Sequence, residues 1–257
     1  MVPFYRGCFD IYEKEFDGPA TEADIVGDRF IVRHLKEHYP ADRYGYLSEE
    51  TEHGPERLAH DSCWIIDPID GTNDFIEGKE DFAVQIGLSF EGEAVLGVVY
   101  QPVPGRLYAG AKGCGAWCED VRSGARTPMT TSPQEQLSAA ALVVTRSHPG
   151  SRLSAAVAAL APARTYSAGS LGVKTMHVVD RQADLYLNTG RRVAKEWDTC
   201  APQAILEEAG GRFTDLCGSP IRYNKADIYL HNGLVASNGP LHQATLAILS
   251  SVGEIWL

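Results

Sequence analysis

An apolar run that ends in two carboxylates astride a proline leaves a chain few options. Here Trp64-Ile65-Ile66 leads into Asp67-Pro68-Ile69-Asp70-Gly71-Thr72. The apolar residues read as a buried strand over 62–66. Pro68 offers no N–H to a ladder and fixes its own backbone, so the chain is expected to leave the strand just after Asp67. Carboxylates three residues apart across such a turn can converge on one point. Unpaired they repel, and bound divalent cations are the usual remedy. Gly71 allows close backbone approach, Thr72 adds a hydroxyl, and a helix beginning near Thr72 would turn its N–H groups toward a phosphate. An Asx-type turn without a ligand accounts for the same residues, so other parts of the chain must decide.

Residues 2–17 read as the end of a helix followed by an extended segment, and Gly18-Pro19 breaks it. Thr21-Glu22-Ala23-Asp24 has the form of a helix start, with Thr21 as N-cap and an acid three residues on. Apolar pairs Val26/Phe30 and Ile31/Leu35 carry that helix to about His38, and Pro40 stops it. A short strand over 44–47 delivers Ser48-Glu49-Glu50. Side chains alternate along a strand, so only one glutamate of the pair can point inward; a solvated turn is the plain alternative. Phe82, Val84, Ile86, Leu88 and Phe90 alternate as in a half-buried strand. Glu91-Gly92-Glu93 and Pro102-Val103-Pro104-Gly105 turn it into two more, over 94–100 and 106–111, and consecutive hairpins make an antiparallel sheet.

The polar stretch 123–136 reads as a crossing between two halves, 1–130 and 131–257. Beyond it, strands at 142–145, 164–166 and 183–188 alternate with helices at 153–160, 171–179 and 199–209, an α/β layer arrangement. Gly210-Gly211 closes the last helix. In Glu196-Trp197-Asp198-Thr199-Cys200-Ala201-Pro202, Asp198 reads as the N-cap, and Pro202 is tolerable because first-turn N–H groups lack intrahelical partners. A capping carboxylate can also bind a metal.

Charge and composition exclude several classes. The formal net charge is -11 with no block of Lys or Arg, which argues against a nucleic-acid surface. A small phosphorylated substrate stays open if bound cations reverse the local field. No apolar run approaches the roughly 20 residues of a membrane helix, and Met1-Val2-Pro3-Phe4-Tyr5-Arg6 lacks a secretion-signal layout. Cytoplasmic residence without a membrane partner is the expectation. The six cysteines form no CxxC pair and no zinc pattern, so free thiols are expected.

Asp67-Pro68-Ile69-Asp70-Gly71-Thr72, with Ser48-Glu49-Glu50 upstream and Trp197-Asp198 and Glu208-Ala209-Gly210-Gly211 downstream, resembles the inositol monophosphatase superfamily. These are magnesium-dependent, lithium-sensitive phosphomonoesterases. The match runs over residues 21–239, with four motifs in the family's order. It implies a layered α-β-α-β-α sandwich of mixed α+β and α/β class, with an antiparallel sheet in the N-terminal half and a mixed sheet in the C-terminal half. It also implies roles. Glu49, Asp67 and the Ile69 carbonyl would hold one Mg2+; Asp67, Asp70 and Asp198 would hold a second, with Asp67 bridging and two or three ions per site. Asp24, in a Thr-x-Ala-Asp motif, would pair with Thr72 to orient the attacking water, beside Glu49. The Gly71 and Thr72 N–H groups would grip the phosphate. The partner implied is a small phosphorylated metabolite, with room left for a homodimer. The family usually carries about one more helix ahead of this motif. With twenty residues before Thr21, a shortened first helix or an upstream start is expected.

Within the family, Asn73-Asp74-Phe75-Ile76 and Asp81-Phe82-Ala83-Val84 are closer to bacterial 3′(2′),5′-bisphosphate nucleotidases than to inositol monophosphatases. So are Gly169-Ser170-Leu171-Gly172-Val173-Lys174 and Glu196 before Trp197. Ser170 and Lys174 would approach the phosphate that is not cleaved, where a cation is useful; the plainer reading of Lys174 is an exposed helical lysine. A haloacid-dehalogenase-type phosphatase also uses Asp-Gly-Thr, but its nucleophilic Asp lies two residues before the second Asp, where this chain has Pro68. An inactive metal-binding relative would have lost a ligand, and all four carboxylates are present.

Overall fold

The structure, a computed structural model, describes residues 4–14, 18–51, 54–146, 150–190 and 194–252. A short antiparallel ribbon, β1 (Ile11–Lys14) and β2 (Gly18–Thr21), leads into α1 (Glu22–His38). A seven-stranded sheet follows: β3 (Gly45–Ser48), β4 (Ser62–Asp70), β5 (Ala83–Phe90), β6 (Glu93–Gln101), β7 (Arg106–Ala111), β8 (Gly115–Asp120) and β9 (Ala125–Met129), in that spatial order. The one-turn helix α2 (Thr72–Ile76) sits between β4 and β5. Every pairing from β4 to β9 is antiparallel, as hairpins require, while β3 joins the edge parallel to β4.

The second sheet has the order β11 (Arg164–Ala168), β10 (Ala141–Thr145), β12 (Leu185–Asn188), β16 (Leu234–Ser237), β14 (Arg212–Thr214). Its first three strands are parallel and the last two antiparallel to their neighbours, so it is mixed. Helices α3 (Ser151–Leu160) and α4 (Leu171–Val179) are the crossovers that parallel strands need. A two-residue pair, β13 (Ala194–Lys195) with β15 (Tyr229–Leu230), precedes and follows α5 (Glu196–Glu208), and α6 (His242–Ser251) closes the described chain.

Alternation along the second sheet assigns the layers. Val143, Tyr186, Leu234 and Ala236 join the large core shared with α4, α5 and the first sheet. Leu142, Leu185, Leu187 and Val235 face the other way, against Leu153, Ala156 and Leu160 of α3 and Leu249 of α6. With α1 against β4 and α5 against β5 to β7, the order is helix, sheet, helix, sheet, helix. No helix among the described residues is long and apolar enough to cross a membrane, and all six cysteines are free.

Helix α5 reaches the first sheet because three glycines, Gly87, Gly97 and Gly110, lie side by side across β5, β6 and β7. A Cβ at Gly97 would overlap the Ala201 carbonyl oxygen, one at Gly87 would sit 2.7 Å from Cys200 Sγ, and one at Gly110 3.0 Å from Ile205 Cα. The helix backbone is seated in a trough with no side chains.

Some expectations need correction. Ahead of α1 the described residues form a turn over 4–7 and then β1, not the end of a helix. The helix over 21–38 forms, but Val26 and Phe30 lie on its exposed face, 44% and 57% accessible, while Ala23, Asp24 and Asp28 are the buried side. Part of the supposed crossing at 123–136 is β9, an edge strand with almost no buried residue. Above all, β4 does not stop after Asp67. It runs on to Asp70 through a bulge: Asp67 is opposite Gln85 and Asp70 opposite Ala83, so three steps on β4 match two on β5. Proline is accommodated at a bulge, where no ladder N–H is required.

Candidate active site

The bulge decides which way the carboxylates point. In a regular strand, residues three apart face opposite sides of the sheet. The extra residue restores the phase, so Asp67 and Asp70 share a face just as their partners Gln85 and Ala83 do. That face looks toward α4 and α5. Lys195 is the N-cap of α5, and Asp198 is its third residue rather than the expected cap; its Oδ2 accepts the Lys195 N–H at 2.6 Å. Ligand atoms of Asp67, Asp70 and Asp198 thereby come within 4.8 Å of one another.

These groups and Glu49 line one cavity of about 560 Å3, a volume in the range of small-molecule sites. Glu50 is not among its lining residues. Thr145, Ser170 and Asn188, at or just beyond the carboxyl ends of β10, β11 and β12, form the far wall, the usual ligand position on parallel strands. Lys174 and Arg152 line it too.

Electrostatics in this cavity are unfavourable without a cation. Burial, then the charges of Glu49, Asp70 and Asp198, push the Asp67 carboxyl well above the usual range. Burial, then Asp70 and Glu49, do the same to Asp198. Burial raises Asp70 as well, opposed by the Ser170 hydroxyl, the Lys174 charge and the Gly172 and Leu171 N–H groups. Asp67 is 1% exposed, and its Oδ1 has no hydrogen-bond partner. A buried, undonated carboxylate oxygen beside two more carboxylates is an all-oxygen donor set of the kind hard divalent cations take. The residues fit a metal ion.

Asp24 is fully buried. Its Oδ2 accepts the N–H and hydroxyl of Thr21 at 2.7 and 2.5 Å, the reciprocal contact the Thr-x-Ala-Asp spacing suggested. Thr72 Oγ1 lies 3.2 Å from Asp24 Oδ1 and 3.0 Å from the Ile69 carbonyl, so one hydroxyl touches both. Gly71 takes a left-handed backbone, φ 97°, which lets the chain turn from β4 into α2. A Cβ there would sit 2.8 Å from the Asp81 carbonyl oxygen.

Ser170 is the N-cap of α4, accepting from the Val173 N–H at 3.0 Å and donating to Asp70 Oδ2 at 2.5 Å. Lys174 is no surface lysine: it is 4% exposed, its Nζ donates to the Gly169 carbonyl at 3.2 Å and lies 5.2 Å from the Tyr186 ring centre. Burial lowers its pKa to about 8 against the pull of Asp70, Asp74, Asp198 and Asp81.

Three features escaped the sequence reading. Arg146 joins Asp74 and Asp81, tying α2 to the end of β10. Asp28, one turn after Asp24, accepts the hydroxyls of Ser48 and Thr51 and so grips both sides of Glu49-Glu50. Gln85 donates to Asp70. Asp28 could have been found from its i,i+4 relation to Asp24; Gln85 follows only from strand register.

Residues 6–254 match the model of the inositol monophosphatase family. The chain belongs to that family. The 3′(2′),5′-bisphosphate nucleotidase CysQ of Escherichia coli O157:H7 is 33% identical over 242 residues, covering 92% of this chain and 93% of its own. An inositol monophosphatase from Anabaena (Nostoc) sp. PCC 7120 superposes with a TM-score of 0.74 at 26% identity, covering 89% of this chain and 86% of its own. An IMPase/NADP phosphatase complexed with Mg2+ and phosphate gives 0.80 at 24% identity, over 98% and 90%, a likeness of fold. This member of the inositol monophosphatase family is a phosphoric monoester hydrolase, and its acidic cluster sits where β4, α4 and α5 meet.

Proposed function

We propose that this phosphatase removes the 3′-phosphate of adenosine 3′,5′-bisphosphate, giving AMP and phosphate, with Mg2+ held by the acidic cluster. The observation that carries the metal part is the undonated Asp67 Oδ1 within a group of three carboxylates. The substrate part is supported by the 33% identity to a 3′(2′),5′-bisphosphate nucleotidase over nearly the whole chain. It is also supported by Lys174 and Arg152 in the cavity wall, cations that suit a second phosphate.

In this reading Glu49, Asp67 and the Ile69 carbonyl hold one Mg2+, and Asp67, Asp70 and Asp198 a second, two or three ions in all. Bound there, Mg2+ supplies Lewis acidity at the phosphoryl oxygens and acidifies adjacent water. The chain supplies the rest. Thr72 Oγ1, poised between Asp24 Oδ1 and the Ile69 carbonyl, would orient the water and relay its proton to the buried Asp24 Oδ1, and solvent in the cavity would return a proton to the departing 3′-oxygen. The backbone N–H groups of Gly71 and Thr72 would grip the scissile phosphate and Lys174 would attend the other, while Ser170, expected there too, has its one hydroxyl proton committed to Asp70 Oδ2. No phosphoenzyme is required in this reading: direct attack by water should invert the configuration of a chiral phosphorus, and retention would mean a covalent intermediate. Lithium inhibition belongs to the same proposal and is read from rates in a lithium series.

Comparing kcat/KM on adenosine 3′,5′-bisphosphate and inositol 1-phosphate tests the substrate. Preference for the nucleotide is expected. A strong preference for inositol 1-phosphate would replace this substrate with the second reading, an inositol monophosphatase, and leave the site chemistry standing.

A further inference from the structure

Gln85 sits in the middle of β5 with no exposed surface. It pairs directly with Asp67 across the ladder, so the two side chains lie on one face. Yet the Gln85 amide is committed to the other aspartate: Nε2 donates to Asp70 Oδ2 at 2.7 Å. Its remaining polar atom, Oε1, is buried without a partner. A buried amide that leaves one end unsatisfied is held there by the other end. Turned over, it would set an oxygen against a carboxylate oxygen.

The amide is also walled in. A Cβ on Gly172 would lie 2.9 Å from the Gln85 Cδ and 3.0 Å from each amide atom, so the first turn of α4 rests on it and only glycine leaves the space. Gln85 is one of four donors to Asp70. Three reach Oδ2: Gln85 Nε2, Ser170 Oγ at 2.5 Å and the Gly172 N–H at 2.6 Å. Oδ1 receives one longer bond, 3.2 Å, from the Leu171 N–H. This unequal division fixes the rotation of the carboxylate and leaves Oδ1 the oxygen with capacity to spare.

We propose that Gln85 is a positioning residue for the cation site: by holding Asp70 Oδ2 it presents Asp70 Oδ1 to the ion and sets the Mg2+ affinity of the Asp67, Asp70 and Asp198 group. The inference rests on the metal reading above and adds to it a residue that touches neither ion nor substrate. A purely structural tie between β5 and α4 would predict something different, lost stability with unaltered Mg2+ binding.

Gln85→Met keeps the length of the side chain and removes both polar atoms. Mg2+ binding to the purified protein, followed by isothermal titration calorimetry without substrate, should weaken about 10- to 100-fold, the usual penalty for deleting a hydrogen-bond partner of a metal ligand. The melting temperature in excess chelator should stay near wild type, since an unsatisfied oxygen leaves with the donor. Gln85→Asn, too short to reach Asp70, should give the same weakening and serves if the methionine variant does not fold. Wild-type Mg2+ affinity in the folded variants overturns the inference alone. Absence of Mg2+ binding by the unmodified protein, or undiminished binding by Asp198→Asn, overturns the metal reading and the inference with it.

Discussion

Substituting Gly97 by alanine tests how helix α5, and with it Asp198, is held over the sheet. The added methyl would overlap the Ala201 carbonyl oxygen, a backbone atom that cannot swing aside, so the helix or the strand must move. Overpacking of this kind costs about 1–3 kcal/mol, and a backbone collision belongs at the upper end. Against it stands a gain of about 0.4–1 kcal/mol, because alanine restricts the unfolded chain and Gly97 is not among the residues with positive φ. The net is a loss of about 2 kcal/mol, which for a chain of this size lowers the melting temperature by about 4–8 °C. Calorimetry or chemical denaturation measures it. The neighbouring glycines supply a graded control: Gly87→Ala, meeting a sulfur at 2.7 Å, and Gly110→Ala, meeting a Cα at 3.0 Å, should each cost less. Mg2+ affinity should fall with stability across the series, since α5 carries Asp198. A Gly97→Ala protein that melts with wild type, or a series in the reverse order, would refute the trough as the seat of the helix.

Asp70→Asn keeps the shape of the side chain while removing charge from the cluster, and should lower Mg2+-dependent turnover at least ~100-fold without unfolding the protein; retained turnover in a folded variant would remove Asp70 from the site. His242 is buried between Ser237 Oγ at 2.9 Å and Thr214 Oγ1 at 3.0 Å, and burial, then the Arg212 charge, lowers its pKa from 6.5 to about 4. The unfolded chain therefore takes up this proton first. The contribution is complete above pH 6.5 and is lost as pH falls toward 4, by about 3 kcal/mol at most. Denaturation of wild type and His242→Gln across that window should show the steeper acid loss in wild type, and parallel curves would count against a neutral histidine.

How much of this could be read beforehand differs by element. Helix α1 announced itself through Thr21 and Asp24, because a capping contact is local and its residues are three apart. Strand β5 was legible from its alternation, but its faces are reversed from the apolar pattern: Ala83, Gln85, Gly87 and Ser89 are buried, whereas Val84, Ile86 and Leu88 are half-buried and Phe90 is exposed. Strand β9 was not legible, since an exposed edge carries no apolar alternation. Asp67, Asp70 and Asp198 could be named from their motif, but not their arrangement. Pro68 reads as the end of a strand, and only pairing with β5 reveals a bulge. Asp198 reads as a cap, and the structure moves it three residues into the helix because Lys195 and its strand partner Tyr229 set where α5 begins. Lys174 lies in Leu171-Gly172-Val173-Lys174-Thr175-Met176-His177-Val178-Val179, a helix apolar on nearly every side, so its burial was open to reading, whereas its approach to Tyr186, on a strand that follows α4, was not. Gln85 has no local signature at all.

The extra residue between Asp67 and Asp70 also bears on how such a site can change. Odd spacing along a strand and a shared face exclude each other unless one residue is left out of the ladder. Deleting Pro68 or Ile69 would restore an unbroken ladder and leave the aspartates an even two apart in sequence, still on one face and opposite the same two residues of β5. Sliding β4 by one residue against β5 would instead turn both away together. The pair is thus inherited as a unit, and β4 cannot drift in register by small steps without extinguishing the cluster.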